Sequence, residues 1–302
     1  MSTLSALTQK VFVGLQYALP KQCLSRAVGW LADNDMPWLK NFLIRRFIDH
    51  FNVDMSEAAQ PDYTLYRNFN SFFTRPLAEG LRPICKEAVA SPADGSVSQI
   101  GSVAAGRIFQ AKGQAYTTLE LLGGDHQLAQ LFDDGLFATI YLAPRNYHRV
   151  HMPVAGKLRR SIYVPGDLFS VNAVTTENVP RLFARNERLV SIFETEYGEM
   201  ALVLVGAMIV AGIDTVWSGR VTPRLRRIED ADYSEPTPVI ELAKAAEMGR
   251  FILGSTVVVL FRNSSGLAWK RQAGDVLRMG EALADVSSAP SKAEGAAVPI
   301  ID

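Results

Sequence analysis

The sequence predicts an α+β protein: amphipathic helices over residues 1–60, then a β-rich region over 61–302 with barrel-sandwich character. Three observations carry this expectation. Apolar side chains in the first sixty residues recur at helical spacing, with Pro20 and Pro37 as punctuation. The remainder is a series of short apolar runs broken by Gly, Pro and Asp turn signals. The last such run, residues 251–261, is dominated by β-branched and aromatic residues and reads as a strand interrupted by Gly254, Ser255 and Thr256.

The helical region is unlike the rest. Leu39, Phe42, Leu43, Phe47 and Phe51 lie at helical spacing with Lys40, Arg45 and Arg46 between them. Residues 1–50 hold six basic and three acidic side chains, a local excess in a chain whose formal net charge is zero. Trp30, Trp38 and Tyr17 are amphipathic rings of the kind that favour the lipid headgroup level. Two accounts stand: helices packing on a core, or helices lying on an anionic membrane. His50 is read as structural.

Bulk composition narrows the function. The 302 residues are 48% hydrophobic, enough for a sizeable core, and the neutral balance argues against a general nucleic-acid binder. Cys23 and Cys85 form no CxxC, so neither a disulfide framework nor a cysteine-based metal site is expected, and a reducing compartment fits. The longest apolar run, residues 201–213, is too short to span a bilayer as a helix. No signal peptide is expected.

Residues 61–82 read as a docking segment, with Tyr63, Tyr66, Phe69, Phe72 and Phe73 as packing residues. Ser91-Pro92-Ala93-Asp94-Gly95 is a turn before a strand. Asp94 either bonds its local backbone or presents a carboxylate that orients a histidine. His148 and His151 fall together between Pro144 and Pro153, which argues against a long helix there. Three apart, they can share one helical turn. As zinc ligands they lack a third partner at suitable spacing, so no metal is expected. As general bases they suit neutral pH. Arg145 and Arg149 flank them and can pair with an anionic headgroup, or simply line a solvated loop. His126 is assigned no role. Pro165-Gly166 makes a turn, after which Leu168, Phe169 and Val171 wall a pocket or pack the core.

Residues 201–213 read as a buried strand pair or one long bent strand. Gly274-Asp275-Val276 with Gly280-Glu281-Ala282-Leu283 looks like the hairpin of lipoyl- and biotinyl-type barrels, a likeness that concerns fold and not function. The tail after Ser287 is read as disordered.

A hydroxyl on a Gly-Ser bond, a histidine pair and an aspartate on a turn suggest a Ser-His-Asp hydrolase, here one working at a membrane surface. Ser255, however, lies in an apolar strand and not in a G-x-S-x-G elbow. That context favours attack on the chain's own backbone. Leu253-Gly254-Ser255-Thr256, Pro92-Ala93-Asp94-Gly95, the stretch from Ala143 through His148 and His151 to Pro153, and Tyr163-Val164-Pro165-Gly166-Asp167-Leu168-Phe169-Ser170-Val171-Asn172 stand in the order found in bacterial phosphatidylserine decarboxylases. The chain resembles that family from about residue 60 to 285.

The resemblance implies a proenzyme of prokaryotic type. Asp94 orients His151, His151 takes the proton of Ser255, and the Ser255 oxygen attacks the Gly254 carbonyl. β-Elimination then separates fragments 1–254 and 255–302, which stay together as a heterodimer. Ser255 becomes a covalent pyruvoyl group, the only cofactor implied. Phosphatidylserine forms a Schiff base with it and loses carbon dioxide. Protonation, assigned to His148, and hydrolysis give phosphatidylethanolamine. A lipid substrate places the enzyme peripherally on the cytoplasmic face of the cell membrane, and turns the N-terminal helices toward the membrane account.

Overall fold

Three helices open the chain in a computed structural model that describes residues 6–208, 212–222, 227–235, 238–252 and 256–287. They are α1 (Ala6–Ala18), α2 (Lys21–Ala32) and α3 (Pro37–Phe51). Pro20 and Pro37 stand where the second and third begin, because proline's missing N–H is no loss in a first turn. Asn52 ends α3 in a left-handed conformation, its N–H returned to the Ile48 carbonyl.

One face of α3 meets α4 (Phe69–Phe73), a single short helix closed by reciprocal bonds between Asn68 and Ser71. Phe47 sits among Phe69, Phe72 and Phe73, with ring centres 5.2, 6.0 and 5.7 Å away. Ile44, Tyr66 and Val53 complete this core, which joins residues on both sides of position 60. The opposite side of the helical region is bare. Among the described residues, eleven of the nineteen exposed large apolar side chains lie between Val11 and Leu65, Trp30 at 73% and Trp38 at 67% exposure among them. Lys40 is the exception to its charged neighbours: it is buried and donates to the Thr64 carbonyl at 2.7 Å. No described helix is long and apolar enough to cross a membrane.

The β region is built on a large antiparallel sheet. In spatial order its main strands are Gly156–Val164, Arg188–Thr195, Gly198–Val205, Thr256–Phe261, Leu136–Tyr141 and Gly95–Ser102. Thr256–Phe261 is central, paired along all six residues on both sides. Val257, Val259 and Phe261 face one core, and Val258 and Leu260 the other. Burial on both faces explains an unbroken apolar run instead of an alternating one.

A smaller sheet, in the order Gly219–Arg220, Gly212–Thr215, Glu247–Ile252, Arg149–His151, packs beside it. The single strand expected over 251–261 is therefore two strands in two sheets. Ile252 pairs with Gly212 in the small sheet, and Thr256 pairs with Val205 and Tyr141 in the large one. The stretch 201–213 divides in the same way, as a strand pair, with residues 209–211 outside the described set. Leu253, Gly254 and Ser255, and the tail from 288, also lie outside the described residues.

Among the described residues the sheets stay open, and no closed barrel forms. The expected hairpin after Lys270 is not a two-strand unit either. Val276–Leu277 joins the large sheet on Gly95 and Ser96, while Ala282–Val286 pairs with Val89–Ala90 and Leu267–Trp269 in a third sheet. The α+β expectation holds, with helices first and antiparallel sheets after.

Candidate active site

Asp94 closes the turn before strand Gly95–Ser102 and is almost fully buried. Gly95 must follow it, because a Cβ there would stand 2.3 Å from the Tyr141 carbonyl oxygen. The carboxylate is fully engaged. Arg82 donates to both oxygens, at 3.0 and 2.6 Å, and the Met279 backbone N–H donates to Oδ1 at 2.8 Å. The same guanidinium reaches Glu57 at 2.6 Å, so one arginine bridges two carboxylates.

His151 ends the strand Arg149–His151, and its backbone N–H donates to the Pro92 carbonyl at 2.8 Å. That bond ties the histidine strand to the Asp94 turn. The ring makes two bonds of its own. Nδ1 lies 2.8 Å from the Ala245 carbonyl, and Nε2 lies 2.9 Å from the Tyr147 hydroxyl. A carbonyl only accepts, so Nδ1 carries the hydrogen and Nε2 offers its lone pair. Burial pushes the His151 pKa below the ordinary histidine value, outweighing the Ala245 bond and the Glu247 charge that act the other way. Burial also pushes the Tyr147 hydroxyl upward, so it stays a donor. The resemblance has Asp94 orient His151, and a direct hydrogen bond between the two is not among the bonds of the described residues. The Asp94 turn and the His151 strand meet there through the Pro92 carbonyl.

His148 does not share a helical turn with His151. It precedes the short strand and turns into the core, with its ring centre 3.9 Å from that of Phe73. The pairing of Arg149–His151 with Glu247–Ile252 imposes this, since extended backbone sends side chains to alternate faces. Nδ1 lies 2.8 Å from the Asn146 carbonyl and so carries the hydrogen. Nε2 is buried with no hydrogen-bond partner among the described residues. Burial, reinforced by the Arg75 charge, pushes the pKa down to about 3, and the ring is a neutral acceptor. The His148 carbonyl accepts from the Phe251 N–H at 3.0 Å. Phe251 is in the strand that runs toward Gly254.

The flanking arginines differ from each other. Arg149 is committed inside the protein, to the Thr74 carbonyl at 2.9 Å and Glu247 at 2.8 Å, whereas Arg145 is exposed. Gly254 and Ser255 lie outside the described residues, but their neighbours do not. Ile252 ends the strand paired with Arg149–His151, and Thr256 begins the central strand. Arg82, Glu57, Tyr147 and Ala245 went unnoticed as site residues in the sequence. Tyr147 stood inside the histidine motif and was the one that could have been found.

Comparison with known proteins gives the family. A family model described as phosphatidylserine decarboxylase matches residues 69–285, and one described as PSD matches residues 11–52. A phosphatidylserine decarboxylase proenzyme of Pseudomonas fluorescens is 55% identical over 282 residues, 92% of this chain and 98% of the relative. Those of Azotobacter vinelandii and Stutzerimonas stutzeri are 53% and 51% identical, over 93% and 95% of this chain and 100% and 99% of their own. On its motifs, its fold and these matches, the chain belongs to the phosphatidylserine decarboxylase family, a family of decarboxylating enzymes.

Proposed function

We propose that this chain is a proenzyme that cuts itself between Gly254 and Ser255 and then, as fragments 1–254 and 255–302, converts phosphatidylserine to phosphatidylethanolamine. The observation that carries this is the bracketing of the Gly254–Ser255 bond. The strand before it pairs with the histidine strand, and that strand is bonded to the Asp94 turn. His151 Nε2, released from Tyr147, takes the Ser255 hydroxyl proton. The Ser255 oxygen attacks the Gly254 carbonyl, the C–N bond breaks and an ester forms. Loss of the Ser255 Cα proton expels Gly254 as a carboxylate, and water displaces ammonia to leave a ketone at position 255.

The residues present suit such a group. Thr256 is fixed on both sides in the sheet, and a buried nitrogen without a partner among the described residues, His148 Nε2, lies on the loop bonded to the preceding strand. A pyruvoyl ketone held there would supply an electrophile for the substrate amine and a sink for the electrons released as carbon dioxide leaves. His148 meets the substrate as an acceptor, so the proton it later gives must first be collected. The substrate ammonium has one to lose. The imidazole takes that proton and returns it to the carbon that lost the carboxylate.

Residues 1–60 form the membrane-associating region and 61–302 the catalytic domain, held peripherally on the cytoplasmic face. The exposed Trp30, Trp38 and Phe42, with basic Arg45 and Arg46 beside them, support this reading. Trp30→Ala, Trp38→Ala and Phe42→Ala together are expected to weaken binding to phosphatidylserine vesicles at least about tenfold, since each ring contributes roughly 1.5–3 kcal/mol of apolar burial. Unchanged vesicle binding would contradict the membrane reading.

Denaturing electrophoresis of freshly made protein tests the reaction itself. Two pieces are expected, the smaller blocked to N-terminal sequencing. A single intact chain that reacts with a fluorophosphonate probe would instead make this a membrane-surface Ser-His-Asp hydrolase.

A further inference from the structure

Arg75 follows α4 by two residues and is 3% exposed. Its Nη2 donates to the Arg145 carbonyl at 3.3 Å, a long bond, and its guanidinium carbon lies 5.2 Å from the centre of the Phe72 ring. Nε and Nη1 are buried and have no partner among the described residues. Buried donors are almost always satisfied, so two on one cation call for an explanation. Of the acidic groups whose charge acts on Arg75, Glu57 and Asp94 are engaged elsewhere. Glu57 and Asp94 are both bonded to Arg82, and Glu57 also meets Arg278 at 3.5 Å.

The second unpartnered group is close by. Arg75 bonds the carbonyl of Arg145, and His148 Nδ1 bonds the carbonyl of the next residue, Asn146. One loop therefore holds a cation with two spare donors and an imidazole with a spare acceptor. The two are complementary to a headgroup that carries both an oxyanion and an ammonium.

Resting on the decarboxylase reading, we propose that Arg75 binds an oxyanion of the phospholipid headgroup and thereby sets the substrate ammonium against His148 Nε2. The guanidinium fork suits phosphate and carboxylate oxygens alike. The phosphodiester is the better match. It persists through the reaction, whereas gripping the departing carboxylate would stabilise the ground state. A bound oxyanion has a second effect, because the Arg75 charge is one of the causes that keep His148 unprotonated. Burial is the larger cause, and cancelling the Arg75 charge removes the second, which makes protonation of His148 less costly.

Two measurements test this. Two-fragment Arg75→Met enzyme should show a KM for phosphatidylserine raised about 10- to 100-fold, as expected for a lost charge-assisted bond. Its kcat should fall less, and Arg75→Lys should recover part of the loss. A wild-type KM in Arg75→Met overturns the proposal.

The wild-type enzyme gives an answer that does not depend on the variant folding. Phosphoethanolamine should compete with substrate at least about tenfold more tightly than ethanolamine, and equal inhibition overturns the proposal. Serine, which has the carboxylate but no phosphate, separates the two sources: tighter inhibition by serine than by phosphoethanolamine assigns Arg75 to the carboxylate. Wild-type decarboxylation with no anion preference would sink the subsite and leave the proposed reaction standing.

Discussion

Replacing His151 by alanine should leave the chain uncut. The imidazole is bonded through Nδ1 to Ala245 and offers Nε2 as a lone pair, the state a base needs before it takes a serine proton. A positioned base contributes about 10²–10⁴-fold to such a step, so self-cleavage should slow by about that factor. The pH dependence follows from the direction of the shift. Burial holds the folded pKa below 6.5, so the neutral ring is fully present above that pH and is lost as pH falls through the lower folded value. Cleavage should therefore be flat above neutrality and decline in acid. A cleavage rate still climbing beyond pH 8 in time-resolved gels would mean that another group is the base.

His148→Gln should have the opposite phenotype: a chain that cuts itself and then decarboxylates poorly. The bare Nε2 lies in the core beside Phe73, on the loop bonded to the strand before the cleavage site, and has nothing else to do among the described residues. Glutamine keeps a polar side chain there but cannot carry a proton at neutral pH. Carbon dioxide release from phosphatidylserine should drop by about 10²–10⁴-fold in the cut enzyme. Release within threefold of wild type would move the proton transfer to another residue.

The two histidines thus divide the work because the fold separates them. Their spacing admitted a shared helical turn, and only the pairing of Arg149–His151 with Glu247–Ile252 sends one ring toward Tyr147 and the other into the core. Sequence pattern was informative where local physics decides. The prolines beginning α2 and α3, the aromatic packing of α4 and the strand character of residues 257–261 were all visible in it.

It was silent where distant segments meet. Nothing near Arg82 announces that it will clamp Asp94 and Glu57, and nothing near Arg75 announces two spare donors. The change of sheet between Ile252 and Thr256 was hidden for the same reason. Strand pairing with Gly212 on one side and Val205 on the other is a long-range choice, which a run of apolar residues does not encode.

The most direct test is the mass of the denatured protein, wild type beside Ser255→Ala. The wild type should give two masses, fragments 1–254 and 255–302, with the smaller lighter by one ammonia than a peptide beginning with serine. Ser255→Ala should give one, the full chain. An intact wild type, or a Ser255→Ala chain cut at the same bond, would contradict the account.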